Sequence, residues 1–220
     1  MLHYLQGLLA ALDLTSLMDA VLRVAAIFLC LTVHETCHGL AALALGDPTA
    51  KSMHRLSLNP LRHIDWIGFF MMIVAGFGWA KPVPVNPNYF KKPKEGMAIT
   101  ALAGPVSNFL LALALLLAAR LVYLRALMTG TLPETLFSFL VNTASLSVGL
   151  GLFNLVPVPP LDGSKVAAVL LPDRAYNWLM RYEQLGMVLL VVIISVGIGS
   201  NALDAAIRWV FELFCRIVGF

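Results

Sequence analysis

The run from Leu17 to Leu45 is apolar over almost its whole length. A hydrocarbon core of about 30 Å is crossed by roughly 20 helical residues. Inside lipid every backbone N–H and C=O must be satisfied locally, which makes a lone segment of this kind a helix. Arg23 near the start of the run and Gly46-Asp47-Pro48 after its end mark its two edges. Residues 98–128, 134–156 and 176–199 meet the same length criterion. The sequence therefore predicts an all-α integral membrane protein, a bundle of about four long transmembrane helices. Composition agrees: 12% of the 220 residues are charged, against about 25% in ordinary soluble domains. The net charge of +3 is small and spread among loops; it bears on topology, and no nucleic-acid partner is expected. Cys30, Cys37 and Cys215 follow no pairing pattern, so no disulfide framework is implied. No repeat, linker or cleavable signal peptide is read, and residues 1–220 are expected to form one domain.

The first span, taken as residues 16–45, contains Val33-His34-Glu35-Thr36-Cys37-His38-Gly39. Helical positions four apart differ by about 40° in azimuth and about 6 Å in height. His34 and His38 thus project to one side, at a spacing that lets two imidazoles grip one zinc ion, with Glu35 beside them as a proton acceptor. A lone His in an apolar helix is more often a hydrogen-bonded packing residue. Location argues against that here. Ionisable side chains inside a span cost about 2.5–3.5 kcal/mol by insertion scales, and an adjacent Glu adds cost without benefit to packing. Cys37 lies about 100° around the helix from His38 and reads as a small packing residue.

Residues 1–14 are too short to cross and predict an interfacial helix. Residues 46–97 form the unusual region. An apolar run, 64–80, is preceded by Lys51, Arg55 and Arg62 and followed by Lys81, Lys91, Lys92 and Lys94. A full crossing would put basic loops on both faces, against the positive-inside rule. A re-entrant or β-like element between the first two spans is therefore expected, with both flanks cytoplasmic. Ala80 to Asn88 is extended because each Pro restricts the residue before it. Pro82 and Pro84 leave their missing donors on one edge, whereas the Val83/Val85 edge keeps its own. That edge is either part of an inert loop or a template for an unwound substrate strand.

The 98–128 span opens with Ala103-Gly104-Pro105-Val106-Ser107-Asn108. Gly104 and Pro105 predict a bend or local loosening, and Asn108 an interhelical hydrogen bond or a donor to an oxyanion. The 134–156 span ends in Asn154-Leu155-Val156-Pro157-Val158-Pro159-Pro160-Leu161-Asp162-Gly163, where the prolines force the chain out of helical geometry. Asp162 is either the N-cap of a short helix over 163–171 or the third protein ligand that a zinc site with two histidines needs. Asp47, Asp65, Glu95 and Asp173 sit in polar loops or past a helix end and are weaker candidates. Residues 201–220 carry Asp204, Arg208, Glu212 and Arg216 at four-residue spacing, one charged stripe on an amphipathic helix that lies at the interface or meets another subunit.

In order, H-E-x-x-H within a span, A-G-P-x-S-N, and N-L-x-P-x-P-P-L-D-G resemble the site-2 protease family of intramembrane zinc metalloproteases. Residues 56–65 with Gly78-Trp79-Ala80-Lys81-Pro82-Val83-Pro84-Val85 resemble its small prokaryotic branch that lacks a PDZ domain. Trp66 departs from that branch, which usually has Pro there. The resemblance covers roughly residues 20–200. It implies His34, His38 and Asp162 as ligands of one zinc ion per chain, Glu35 as general base, and Asn108 near the reaction centre. Val83, Val85 and Asn154 join Asn108 as candidates for substrate or oxyanion contact. The expected activity is hydrolysis of peptide bonds in or near transmembrane segments of membrane protein substrates. The expected setting is a multi-pass protein of a prokaryotic plasma membrane, its site nearer the cytoplasmic face, with homo-oligomerisation left open. A zinc-binding transporter or a non-catalytic zinc-stabilised scaffold are the alternatives.

Overall fold

Apolar length and small residues build the core of the chain. In the computed structural model, residues 14–66, 68, 70, 81–182, 186, 188, 190, 192 and 199–220 are described. Among the described residues three helices are long and apolar enough to cross a membrane: α1 (Leu14–Ala44), with its apolar part from Leu17, and, after the short α2 (Thr49–Ser52), α3 (Pro93–Thr129) and α4 (Glu134–Asn154). The expected interfacial helix over 1–14 lies almost wholly outside the described residues. Helix α3 begins five residues before the expected 98, with Pro93 in its first turn, where a missing N–H costs nothing. Apolar patterning could not reveal that polar first turn. Pro105 lies inside α3, and the helix continues through it. Helix α4 stops at Asn154, two residues short of the expected Val156.

α3 packs against both α4 and α1. At the α3–α4 contact Ala112, Leu116, Ala144 and Val148 are completely buried. Small side chains allow close backbone approach where lipid offers no hydrophobic drive between helices. Short segments α5 (Asp162–Ala168) and α6 (Asp173–Arg181) precede the last helix, α7 (Ser200–Val218). The apolar side of α7, through Ile207, Val210, Phe211 and Phe214, covers this α3–α4 core.

One further expected boundary is corrected. Residues 176–181 belong to α6, and Tyr182 leaves helical geometry with φ −105° and ψ 21°. The 176–199 span therefore does not run unbroken from 176, because its first residues form a polar, amphipathic turn. Most of 183–198 lies outside the described residues, as does most of 64–80. The flanks of that latter run meet: the Lys81 N–H donates to the His63 carbonyl at 2.9 Å. Between α1 and α3 the described chain is otherwise α2, turns at Pro60–Arg62 and Pro87–Tyr89, and an extended strap over 81–86.

Candidate metal centre

Helical period sets the first half of the site. His34 and His38, one turn apart on α1, bring their Nε2 atoms within 3.0 Å of each other, the rings edge to face. The other half comes from the turn after α4. There the Asp162 carboxylate lies 3.1 Å from each of those two nitrogens. All three residues are buried. Asp162 is the first residue of α5, and the N-cap position is held by Leu161 with no side-chain cap. The N-cap reading is thus corrected: the carboxylate turns away from the helix end and faces the histidines.

The donor atoms fit a zinc ion. At zinc distances of about 2.0–2.1 Å, tetrahedral ligands stand about 3.3 Å apart, close to the separations found here. Ring tautomers fit as well. The His38 Nδ1–H donates to the Thr100 carbonyl of α3 at 2.7 Å, which leaves the Nε2 lone pair free. His34 Nδ1 faces the side-chain amide of Asn108 at 3.3 Å, through Nδ2, while the Asn108 Oδ1 is buried with no partner. Oxygen and nitrogen of an amide differ only by a half-turn. With that half-turn Oδ1 accepts from the His34 Nδ1–H, and the second Nε2 is also left as a ligand lone pair. An orphaned acceptor beside a histidine is what a metal-ready imidazole uses to fix its tautomer.

Glu35 lies on the neighbouring side of α1, and its Oε2 accepts from the Val83 N–H of the strap at 3.0 Å. Both residues line a cleft of about 320 Å³ together with His34, His38, Val85, Asn154 and Asp162. Of the stretch expected to be extended, Ala80 to Asn88, residues 81–86 are extended, whereas Pro87 and Asn88 belong to a 3-10 turn and residue 80 lies outside the described residues. Asn154 reaches the cleft, but its amide donates to the Leu150 carbonyl of its own helix at 2.9 Å.

A model of the family described as peptidase family M50 matches residues 125–197, a stretch that contains Asp162 and stops short of the histidine motif. YwhC of Bacillus subtilis, named as a candidate zinc metalloprotease, is 39% identical over 178 residues, 78% of this chain and 79% of that protein. Rip2 of Mycolicibacterium smegmatis, named in the same terms, is 27% identical over 198 residues, 88% of this chain and 71% of its own. Rip2 of Mycobacterium tuberculosis H37Rv is 26% identical over 187 residues, 83% and 70% respectively. No solved structure matches the chain. The chain belongs to peptidase family M50, the site-2 proteases.

Three residues of this M50 metalloprotease were not singled out for the site by sequence reasoning. Gly104 sits where α3 crosses the two histidines: a Cβ there would stand 2.6 Å from His34 Cε1 and as close to the His38 ring. Asp47, read as a loop acid, is fully buried. It accepts from the Thr49 N–H at 2.9 Å, the Thr49 hydroxyl and the Asn86 N–H at 2.7 Å. Arg55, also buried, donates to the Lys81 and Pro82 carbonyls at 2.6 and 3.3 Å. Burial pulls the Arg55 guanidinium below its ordinary pKa, and the Glu35 carboxylate opposes that shift. A local pattern carries no signal for such pairings, which join positions 26 to 39 apart. A larger cavity, about 550 Å³, opens between α1 and α4 around Asp19, Arg23 and Glu134. Its α1 lining runs from Asp19 to Ile27, about 10–22 Å from His34 along the helix, and includes none of the candidate ligands.

The Asn108 contact gives a testable expectation for the M50 centre. Asn108→Leu should weaken zinc binding by about 10–100-fold, the usual effect of losing a partner that orients a ligand. Asn108→Asp, which keeps an acceptor for the His34 Nδ1–H, should stay close to the parent. Competition with a chromophoric chelator measures both.

Proposed function

We propose that His34, His38 and Asp162 hold one zinc ion per chain and that Glu35 is the general base for hydrolysis of peptide bonds in or near transmembrane segments of membrane protein substrates. One observation carries this reading. Three donor atoms within 3.1 Å of one another converge beside a carboxylate-lined cleft, on a helix long and apolar enough to cross a membrane. His38 stands about 9 Å along the axis from the end of α1, so the cleft falls within the span. When bound, zinc supplies a Lewis acid that polarises the scissile carbonyl and lowers the pKa of water towards about 7. Glu35 takes the proton of the attacking water and returns it to the leaving amine. Asn108, fully buried and facing His34, holds that ring; its geometry favours this over direct contact with an oxyanion. Val83 and Val85 line the cleft; with the Val83 N–H held by Glu35, an unwound substrate strand would pair with this edge through its carbonyls and the Val85 N–H. Asn154 also lines the cleft.

The setting follows from the same features. Residues 1–220 act as one domain; nearly all of the expected N-terminal interfacial helix, and most of 183–198 in the expected fourth span over 176–199, lie outside the described residues. A re-entrant element over 64–80 is supported by its flanks, which meet through Lys81 and His63. Their lysines and arginines put them on the cytoplasmic side, which brings the cleft nearer that face. The bacterial relatives support a prokaryotic plasma membrane. A transporter would spread its ligands along a path, and a scaffold has no use for Glu35 beside the ligands. Both readings are weaker.

Glu35→Gln should retain zinc and lose cleavage by on the order of a hundred- to ten-thousandfold, the range of general-base contributions. Comparative proteomics of membranes from parent and Glu35→Gln cells would show transmembrane fragments that vanish in the variant. Undiminished cleavage of every processed protein would remove Glu35 from the chemistry.

A further inference from the structure

The strap over 81–86 is tied down at both ends by buried charges from the loop that follows α1. At one end the Arg55 guanidinium donates to the Lys81 and Pro82 carbonyls. At the other the Asp47 carboxylate accepts from the Asn86 N–H at 2.7 Å. Between these ties the Val83 N–H meets Glu35 at 3.0 Å. Asp47 is 0% exposed and Arg55 7%. Charges are seldom buried to this degree without a specific partner. Both are fixed through their own backbones: the Asp47 N–H donates to the Ala42 carbonyl of α1, and the Arg55 N–H to the Ala50 carbonyl of α2. Prolines at 82 and 84 stiffen the strap, so a displacement at either end carries to its middle.

We propose that Asp47 and Arg55 are positioning residues for proteolysis: by holding the strap at both ends they keep the Val83 N–H on the Glu35 carboxylate and so set its orientation in the cleft. The proposal rests on the reading of Glu35 as the base, and neither residue touches the reacting atoms. A carboxylate accepting one backbone N–H keeps its second oxygen for the proton it must move. Without that N–H the side chain rotates freely, and misplacements of about 1 Å at a reacting group cost on the order of a hundredfold. The zinc ligands come from α1 and α5, and among the described residues their hydrogen bonds and ion pairs go to each other, Thr100 and Asn108 and to neither tie, so zinc affinity and rate should separate.

The test uses the full chain in lipid nanodiscs, with Arg55→Met and Asp47→Ala beside the conservative Arg55→Lys and Asp47→Asn. Three quantities are read: zinc affinity, kcat on a reporter transmembrane peptide that the parent cleaves, and hydrogen exchange at the Val83 amide. Peptides spanning 81–90 resolve that amide well, because Pro82, Pro84 and Pro87 contribute none. Arg55→Met and Asp47→Ala should each lower kcat by about tenfold or more and raise Val83 exchange, with zinc affinity held within about twofold of the parent. Lys and Asn, which keep a donor and an acceptor at the two ties, should restore most of both. Fast Val83 exchange with a parent-like kcat would overturn the proposal, as would unchanged exchange in both truncations. Where a truncation fails to fold, the conservative variants still decide: tenfold loss in Arg55→Lys or Asp47→Asn with Val83 exchange unchanged contradicts it. Failure of the Glu35 reading looks different, since cleavage would then survive Glu35→Gln whatever the strap does.

Discussion

Gly104→Ala should strip the site of its metal while leaving the membrane helices in place. Helix α3 crosses α1 at Gly104 so closely that a methyl there would stand 2.6 Å from His34 Cε1 and overlap the His38 ring. Real Cβ atoms do not come so near their neighbours, so either both rings turn or the helices part. Helices α1 and α3 pack on each other, and both also pack on α4, so parting them disturbs more than two side chains. The rings are held by side-chain contacts to Thr100, Asn108 and Asp162, and they should yield first. Perturbing residues that merely orient ligands costs about 10–100-fold in metal affinity; displacing two ligands should cost on the order of a hundredfold or more. Chelator competition reads the affinity, and circular dichroism should show helix content unchanged. Parent-like zinc affinity in Gly104→Ala would mean that α3 does not seat the histidines.

The second large effect is expected at Gly163→Ala, and here the fold suffers first. A Cβ at 163 would lie 2.7 Å from the Val156 carbonyl oxygen and closer still to the Leu155 carbonyl. Backbone atoms cannot swing aside as a side-chain tip can. The turn that carries Asp162 from the end of α4 into α5 is closed on this glycine. Overpacking of a tight site costs about 1–3 kcal/mol, and a backbone clash belongs at the upper end. For a chain of this size that corresponds to about 6–12 °C in Tm. Zinc affinity should fall as well, since Asp162 is the adjacent residue. A thermal melt in detergent with zinc present and absent separates the two effects: the apo chain should already melt lower than the apo parent. Equal apo melting temperatures would contradict the tight turn.

How much of this was readable beforehand depends on the range of the interaction. The spacing of His34 and His38 follows from helical period, so one face and one turn were legible without coordinates. Asp162 emerged because prolines end α4 around it and competing acids lay in polar loops. Its partner distance, spanning 128 positions to His34, is a tertiary fact. Asn108 was legible as an amide in the right helix, but its direction, towards His34 Nδ1, was not. Spans were readable from apolar length at α1, α3 and α4. Boundaries failed where polar residues continue a helix, at Pro93 to Met97, or where an amphipathic turn interrupts one, at Tyr182. Asp47 shows the sharpest miss. A carboxylate in a Gly-Asp-Pro turn looks like a solvated loop acid, and only the folded chain shows it fully buried against Asn86. Gly104 likewise reads as a loosened helix in the sequence, whereas what matters is the ring that lies against it.

The reading stands on one convergence, two imidazoles of α1 with one carboxylate from the turn after α4. Zinc content of the purified Asp162→Ala chain, measured beside Glu35→Gln after dialysis against a weak chelator, tests it most directly. Glu35→Gln should keep one zinc per chain, and Asp162→Ala should hold little or none. One zinc per chain at parent affinity in Asp162→Ala would contradict a metal centre built from these three residues.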